Sequence, residues 1–329
     1  MISLAVLGSH DAVHAIREEW DALADDAPGA TPFQRPAWSI GWMQSMEIAA
    51  PLLLAVRSGR DLVGLVPAFS WGLAGRTLSL LGAGASDHLD VLAAGGFERD
   101  TLDAMRTWMD DARERWDQCA FDEIGPSALL RELGVPRGAR AIIEPQSVCP
   151  VLRAGDGASS FERVVPRAQA ARWRKARRRA ERMGSVELRR ADRDDPHGAL
   201  QTLFALHAKR WTQRHQPGAI GDARIRRLHE QAAAAFAARG ALRLYAVRIA
   251  TRVAGMVYGF RERHRLHLYM QGIEPELDHA SPGTLAVGFA IEDALAEGVR
   301  EVDFLRGGEP YKYEWGALDE PNARICVVA

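Results

Sequence analysis

Lysine is almost missing from this chain. Lys175, Lys209 and Lys312 are three of the 42 basic residues; arginine supplies the rest. That bias reads first as high genomic GC content. Cysteine is scarce too: Cys119, Cys149 and Cys326 are far apart, which excludes a disulfide framework and a zinc cluster. No apolar run approaches the ~20 residues that span a bilayer. The first twenty residues lack the basic start and long apolar stretch of a signal peptide. A cytoplasmic protein with reduced thiols and no membrane insertion is expected. Nucleophile elbow, Walker loop and HExxH are all missing, and no metal is expected.

What is present is ordinary for a globular protein: 329 residues, 47% hydrophobic and 26% charged. That is enough chain for two domains or one large α/β unit. The net charge of −1 hides an asymmetry. Residues 1–165 hold 14 Arg against 23 Asp and Glu, a balance of −9; the remainder holds 28 against 20, a balance of +8. The basic half is the better place for an anionic ligand.

Hydrophobic periodicity predicts alternating strands and helices. Strands are expected over 2–7, 51–57, 62–69, 77–81, 88–93 and 118–124, with helices over 11–24, 36–46 and 98–113. The second half reads as helices over 161–183, 198–215, 222–239 and 282–297. Its strands are expected over 242–249, 253–261, 265–273, 301–305 and 323–328. Both halves run two helices, an antiparallel set of strands, a helix and another strand. The predicted class is α/β (α+β), a mixed and mainly antiparallel sheet flanked by helices. Pro145, Pro150, Gly155 and Gly157 cluster near the middle, so domains are expected at 1–150 and 151–329.

The segment 265–316 carries the strongest signal. Ser281-Pro282-Gly283-Thr284 opens a helix with an N-cap serine, a first-turn proline and a glycine that permits close approach. Such a start is either a well-capped helix or a site for phosphate. The helix ends at Gly298, a strand follows with Asp303 facing away from Val302 and Phe304, and then Arg306-Gly307-Gly308-Glu309-Pro310-Tyr311-Lys312-Tyr313-Glu314-Trp315-Gly316. A loop this dense in polar groups at a strand end favours a binding site.

The stretch SPGTLAVGFAIEDALAEGVREVDFLRGGEPYKYEWG resembles the C-terminal signature of the cellulose-biosynthesis-associated acetyltransferases of the GNAT superfamily. TPFQRPAWSIGW (31–42) and SDHLDVL (86–92) are similar to that family's N-terminal marks. The resemblance implies two tandem GNAT-like domains, related to Fem-type peptidyl transferases, with an acyl-CoA site in the second. It implies that acyl-CoA lies where one strand splays from the next, against Tyr269, Met270, Gln271 and Gly272, with its pyrophosphate at Ser281, Gly283, Thr284 and Leu285. Only Gly283 stands where the usual phosphate loop reads Gln/Arg-x-x-Gly-x-Gly/Ala.

The expected reaction is direct acyl transfer to an amine or hydroxyl of a small-molecule or sugar acceptor. Glu309 is the expected base, with Asp303 as its alternative, and Tyr311 the expected acid; Tyr311, Tyr313 and Trp315 could equally pack one face of a strand. Residues 167–182 hold eight basic side chains and one acid. Arg174 and Arg178 share a helix face there, for CoA phosphates, an anionic acceptor, or nothing but solvent. Arg306 and Lys312 join them as acceptor contacts. Asp87, His88 and Asp90 are expected to reach the acceptor from the first domain. Nucleic acid is not an expected partner. The competing readings are Fem-type transfer from aminoacyl-tRNA and a non-catalytic partner in polysaccharide assembly.

Overall fold

A computed structural model describes residues 1–155, 160–213 and 218–329. In chain order the elements are β1 (Ile2–Leu7), α1 (His10–Ala15), α2 (Arg17–Asp26), α3 (Pro36–Ser45), β2 (Pro51–Ser58), β3 (Asp61–Trp71), β4 (Thr77–Leu80), β5 (Leu92–Ala93), α4 (Glu98–Asp111), β6 (Gln118–Ile124) and β7 (Arg140–Arg153). They continue as α5 (Phe161–Val164), α6 (Arg167–Glu181), β8 (Val186–Arg190), α7 (Pro196–Gln213), α8 (Ala223–Ala238), β9 (Leu242–Ile249), β10 (Arg252–Glu262), β11 (Arg265–Ile273), α9 (Pro282–Ala296), β12 (Glu301–Asp303), α10 (Pro310–Glu314) and β13 (Leu318–Val328).

Two long helices of the sequence reading are broken. The one over 11–24 stops at Ile16, whose backbone leaves the helical region (φ −96°, ψ 7°). The one over 161–183 stops at Val165, pushed to extended backbone (ψ 137°) by the proline that follows. The strand over 88–93 shrinks to β5. Residues 214 and 215, expected as helix, lie outside the described residues.

The chain divides into residues 1–148 with 320–329, and residues 149–319. This corrects the domain reading: the last strand belongs to the first unit, where Ile325 pairs with Phe121 and Val327 with Cys119. The expected linker near 145–158 begins inside β7. Pro145 and Pro150 read as breakers, yet a proline is tolerated wherever a strand's N–H is not needed by the ladder.

The first unit orders its strands β1-β2-β3-β4-β6-β13, with β5 beside β3. β4 and β6 are parallel and the other neighbours in that row antiparallel. The second unit runs β8-β9-β10-β11-β12-β7, with β11 and β12 its parallel pair. Each unit is a mixed, mainly antiparallel sheet flanked by helices, on one strand plan. In the second, α6 and α9 bury Trp173, Ala176, Leu285, Ala290 and Ile291 with Tyr245, Val257, Leu266 and Leu268 from the strands. Leu203, Leu206, Leu228 and Phe236 of α7 and α8 are buried outside that cluster, on the other face.

Candidate active site

The site begins with a fault in a ladder. β10 and β11 pair in register from Glu262/Arg265 to Gly259/Leu268, and then Tyr258 pairs with Met270. Tyr269 is the extra residue that shifts the register of β11, a β-bulge. Gly259 makes this possible, because a Cβ there would stand 2.1 Å from the His267 carbonyl oxygen. The bulge rephases the strand. Leu266 and Leu268 face the α9 core before it. After it Gln271 and Ile273 face α9, at Gly283, while Gly272 faces Leu206 of α7. Tyr269 packs edge-to-face against His229 of α8 with ring centroids 4.8 Å apart. Burial holds that imidazole neutral, its pKa pulled down to about 3.

The parallel β11–β12 ladder has three pairs and ends at His267/Asp303, while β11 runs on to Ile273. Beyond Asp303 the chain leaves β11: the Phe304 N–H donates to Pro150 of β7 at 2.9 Å. Strand and loop therefore diverge, and backbone groups of the bulged strand face the split.

The loop is held from inside. Lys312 Nζ donates to the carbonyls of Leu305, Arg306 and Gly307, each at 2.9 Å, and pairs with Glu309 at 2.9 Å. Gly307, at φ +113°, passes so close to Glu309 that a Cβ would lie 2.6 Å from its carboxylate. Tyr311, Tyr313 and Trp315 lie on or just after the short helix α10, not on a strand. Tyr313 bonds Asp319, and Trp315 is buried against Phe161. Tyr311 alone turns toward β11, where Gln271 Nε2 donates to its Oη at 2.8 Å. Burial, and then the charge of Glu309, push the phenol's pKa up, so it keeps its proton.

α9 starts beside this split. Ser281 sits in the left-handed region (φ 57°), and its hydroxyl makes no capping bond. The first bond inside the helix joins Leu285 N–H to Ser281 O, at 3.1 Å. Gly283 and Thr284 thus present N–H groups ahead of the helix's own bonding. α6 lies along this turn, its Trp173 indole donating to the Leu285 carbonyl at 3.3 Å.

Residues 167–313 match the acetyltransferase (GNAT) domain family. The fold of the chain is similar to that of FemX, at 12% identity over 94% of this chain and 95% of that one, with a TM-score of 0.64. It is also similar to the C-terminal domain (DUF2156) of a putative lysylphosphatidylglycerol synthetase from Agrobacterium fabrum, at 10% identity, 96% and 92% coverage and a TM-score of 0.59. L-PGS from Bacillus licheniformis follows at 9% identity, 94% and 90% coverage and a TM-score of 0.57. These likenesses show the fold. No curated protein sequence matches the chain. Among the described residues no helix is long and apolar enough to cross a membrane.

In the second unit, Tyr269, Gln271, Gly283, Thr284 and Tyr311 come together around the split. Several expected site residues are occupied otherwise. Leu285 is core, its N–H and carbonyl both bonded. Met270 is buried, and Gly272 packs on α7. Lys312, 3% exposed, is spent on the loop rather than offered to an acceptor. Asp303 is fully buried; its Oδ1 takes the Leu305 N–H at 2.8 Å and its Oδ2 lies 3.3 Å from Arg265. It shapes the turn after β12. Arg174 and Arg178 lie on the exposed face of α6, whereas Arg172, Lys175 and Arg179 face the start of α9. Arg306 and Glu309 are exposed.

In the first unit the two N-terminal motifs meet. Gln34 Nε2 donates to the His88 carbonyl at 2.5 Å and the Trp38 indole to Ser86 at 2.7 Å. Asp87 and His88 are buried, with His88 at φ 51°. Asp90 accepts the N–H groups of Val91, Leu129 and Leu130 and so pins a turn. Sequence reasoning missed Gly259, which carried a signal, since a glycine inside a strand often marks a bulge.

Proposed function

We propose that the chain is an acyltransferase that takes an acyl group from acyl-CoA and passes it directly to an amine or hydroxyl. The observation that supports this best is the bulge at Tyr269 on a strand whose parallel ladder stops at His267. It leaves backbone donors of β11 beside the split, where they can polarise a thioester carbonyl. The donor's pyrophosphate then meets the N–H groups of Gly283 and Thr284 and the positive end of α9.

The acceptor nitrogen or oxygen attacks the carbonyl carbon. Its bond to carbon forms, the carbon–sulfur bond breaks, and the acceptor's proton goes to Glu309. Tyr311 gives its proton to the departing thiolate, and solvent returns one proton from Glu309 to the phenol. Arg306 stands at the loop edge as a contact for a small-molecule or sugar acceptor, the class that the cellulose-associated resemblance suggests.

A second reading, transfer from aminoacyl-tRNA in the Fem manner, draws support from the fold likeness to FemX. Thermal unfolding with acetyl-CoA and with charged tRNA separates them. Acetyl-CoA should raise the melting temperature in proportion to the logarithm of its concentration. A rise with charged tRNA and none with acetyl-CoA would replace the first reading by the second.

A further inference from the structure

α6 is fixed on α9 by Trp173, whose indole lies over Gly288; a Cβ there would come within 2.2 Å of it. On either side of this anchor α6 sets Gln169, Arg172, Lys175 and Arg179 along the first turn of α9. They enclose, with Thr284 and Glu314, a cleft of about 230 Å³. Arg179 is aimed by its own bond to the His279 carbonyl, at 2.8 Å. Arg172 is held by Glu314 at 2.7 Å, and among the described residues this is the one carboxylate lining the cleft. Three cations against one acid, at the positive end of a helix, call for an anion.

An independent observation narrows the ligand. Gln169 is 4% exposed, and its Oε1 is buried with no hydrogen-bond partner. A buried amide oxygen left so is costly. A fully ionised anion such as sulfate would satisfy the cations and still offer that oxygen no donor. A ligand that carries a hydroxyl next to its phosphate satisfies both.

We propose that the α6–α9 cleft binds a phosphorylated ribose, separate from the pyrophosphate contact at the α9 backbone. Lys175 and Arg179 hold the phosphate, Gln169 takes the sugar hydroxyl, and Arg172 exchanges Glu314 for the anion. The identity of the nucleotide, the 3′-phosphoadenosine end of acyl-CoA, rests on the donor reading above; the anion site does not.

Calorimetry with adenosine 3′,5′-bisphosphate, AMP, inorganic pyrophosphate and CoA tests it. The protein should prefer the bisphosphate over AMP by about tenfold or more, one extra phosphate on two cations being worth at least that factor. Lys175→Glu changes an exposed side chain, so the fold persists; it should abolish the preference and weaken the bisphosphate about tenfold. Gln169→Met should cost roughly fivefold on the bisphosphate and nothing on pyrophosphate, with circular dichroism confirming the fold. An unchanged preference in Lys175→Glu overturns the site, as does failure of the wild type to bind any of the phosphates. CoA bound equally by wild type and Lys175→Glu sinks the site and leaves the donor reading standing. Lys175-dependent binding of the bisphosphate without binding of CoA keeps the site and removes that reading.

Discussion

After β4 in the first unit and after β11 in the second, the chain must cross to a parallel neighbour, and it does so in opposite ways. β11 is nine residues long, pairs three times with β12, and runs on past the end of the ladder. β4 has four residues and pairs with β6 at Thr77 and Leu78. There the chain fills its own gap: the Leu81 N–H goes to Pro67 of β3 at 2.7 Å and the Leu89 N–H to Glu123 of β6 at 2.9 Å. The helices that follow differ as sharply. α4 opens with Glu98 and Asp100, and Glu98 takes the Gly96 N–H at 2.9 Å. α9 opens with Pro282-Gly283-Thr284, no acid in its first turn and the cations of α6 alongside. The same plan is closed by backbone and carboxylate in one unit and left open and electropositive in the other. Fold alone does not separate these outcomes; the occupancy of one gap and the charge of one turn do.

The largest test of this contrast is whether the open split does chemistry. Tyr311→Phe should lower the single-turnover rate roughly a hundredfold, the scale of losing a general acid, with acyl-CoA affinity nearly unchanged. If the ring only packs, the melting temperature falls instead and the rate per folded molecule holds. Next comes the charge of the turn. Thr284→Glu gives α9 what α4 already has, so calorimetry should show CoA binding about tenfold weaker while the helix gains a few tenths of a kcal/mol from its dipole. The reverse change, Glu98→Gln with Asp100→Asn, should create no CoA site in the first unit, because its gap is filled by residues 81–91. Appearance of binding there would break the comparison. A smaller effect is expected at Gly283. A Cβ on it meets Ile273 Cδ1 at 2.8 Å, so its bulk points at β11 rather than at a phosphate. Gly283→Ala should cost about 1 kcal/mol by overpacking, and Ile273→Val, which removes that methyl, should restore it in a denaturation series.

Most strands and the α9 start were legible because period-2 and period-3.6 patterns and a Ser-Pro-Gly-Thr opening are local signals; β7 was not, because its prolines read as a linker. The terminal strand's return to the first unit was not, since Ile325 and Val327 find Phe121 and Cys119 across two hundred residues and nothing local encodes that. Site residues divided by what else competes for them. Tyr311 and Gly283 were found from a motif. Lys312 and Asp303 were assigned to chemistry because a charged residue in a loop looks available, and each turned out to satisfy backbone groups that would otherwise be orphaned. The basic helix was read by its most regular face, Arg174 and Arg178. The face that lines the cleft at the α9 start was set by Trp173, whose fit over Gly288 on another helix no periodicity reveals.

The smallest prediction concerns the closed unit. Asp90, ordinarily at 3.8, is pushed up to about 7 by burial, which outweighs the three N–H groups that favour its charge. Between those values the folded protein holds a proton that the unfolded chain has released. Stability is therefore greatest at the acid end of that window and falls as pH rises through it, by at most about 1.4 kcal/mol per pH unit, levelling above 7. Asp90→Asn keeps one oxygen for Val91 and Leu130 and loses the acceptor for Leu129. It should cost about 1 kcal/mol at pH 5 and flatten the slope. Amide exchange at Leu129 and Leu130, corrected for intrinsic rate, reports on this turn alone. Wild type should lose protection from pH 5 to 7 and the variant should not. An equal loss in both would place the proton elsewhere and leave Asp90 an ionised clamp on its turn.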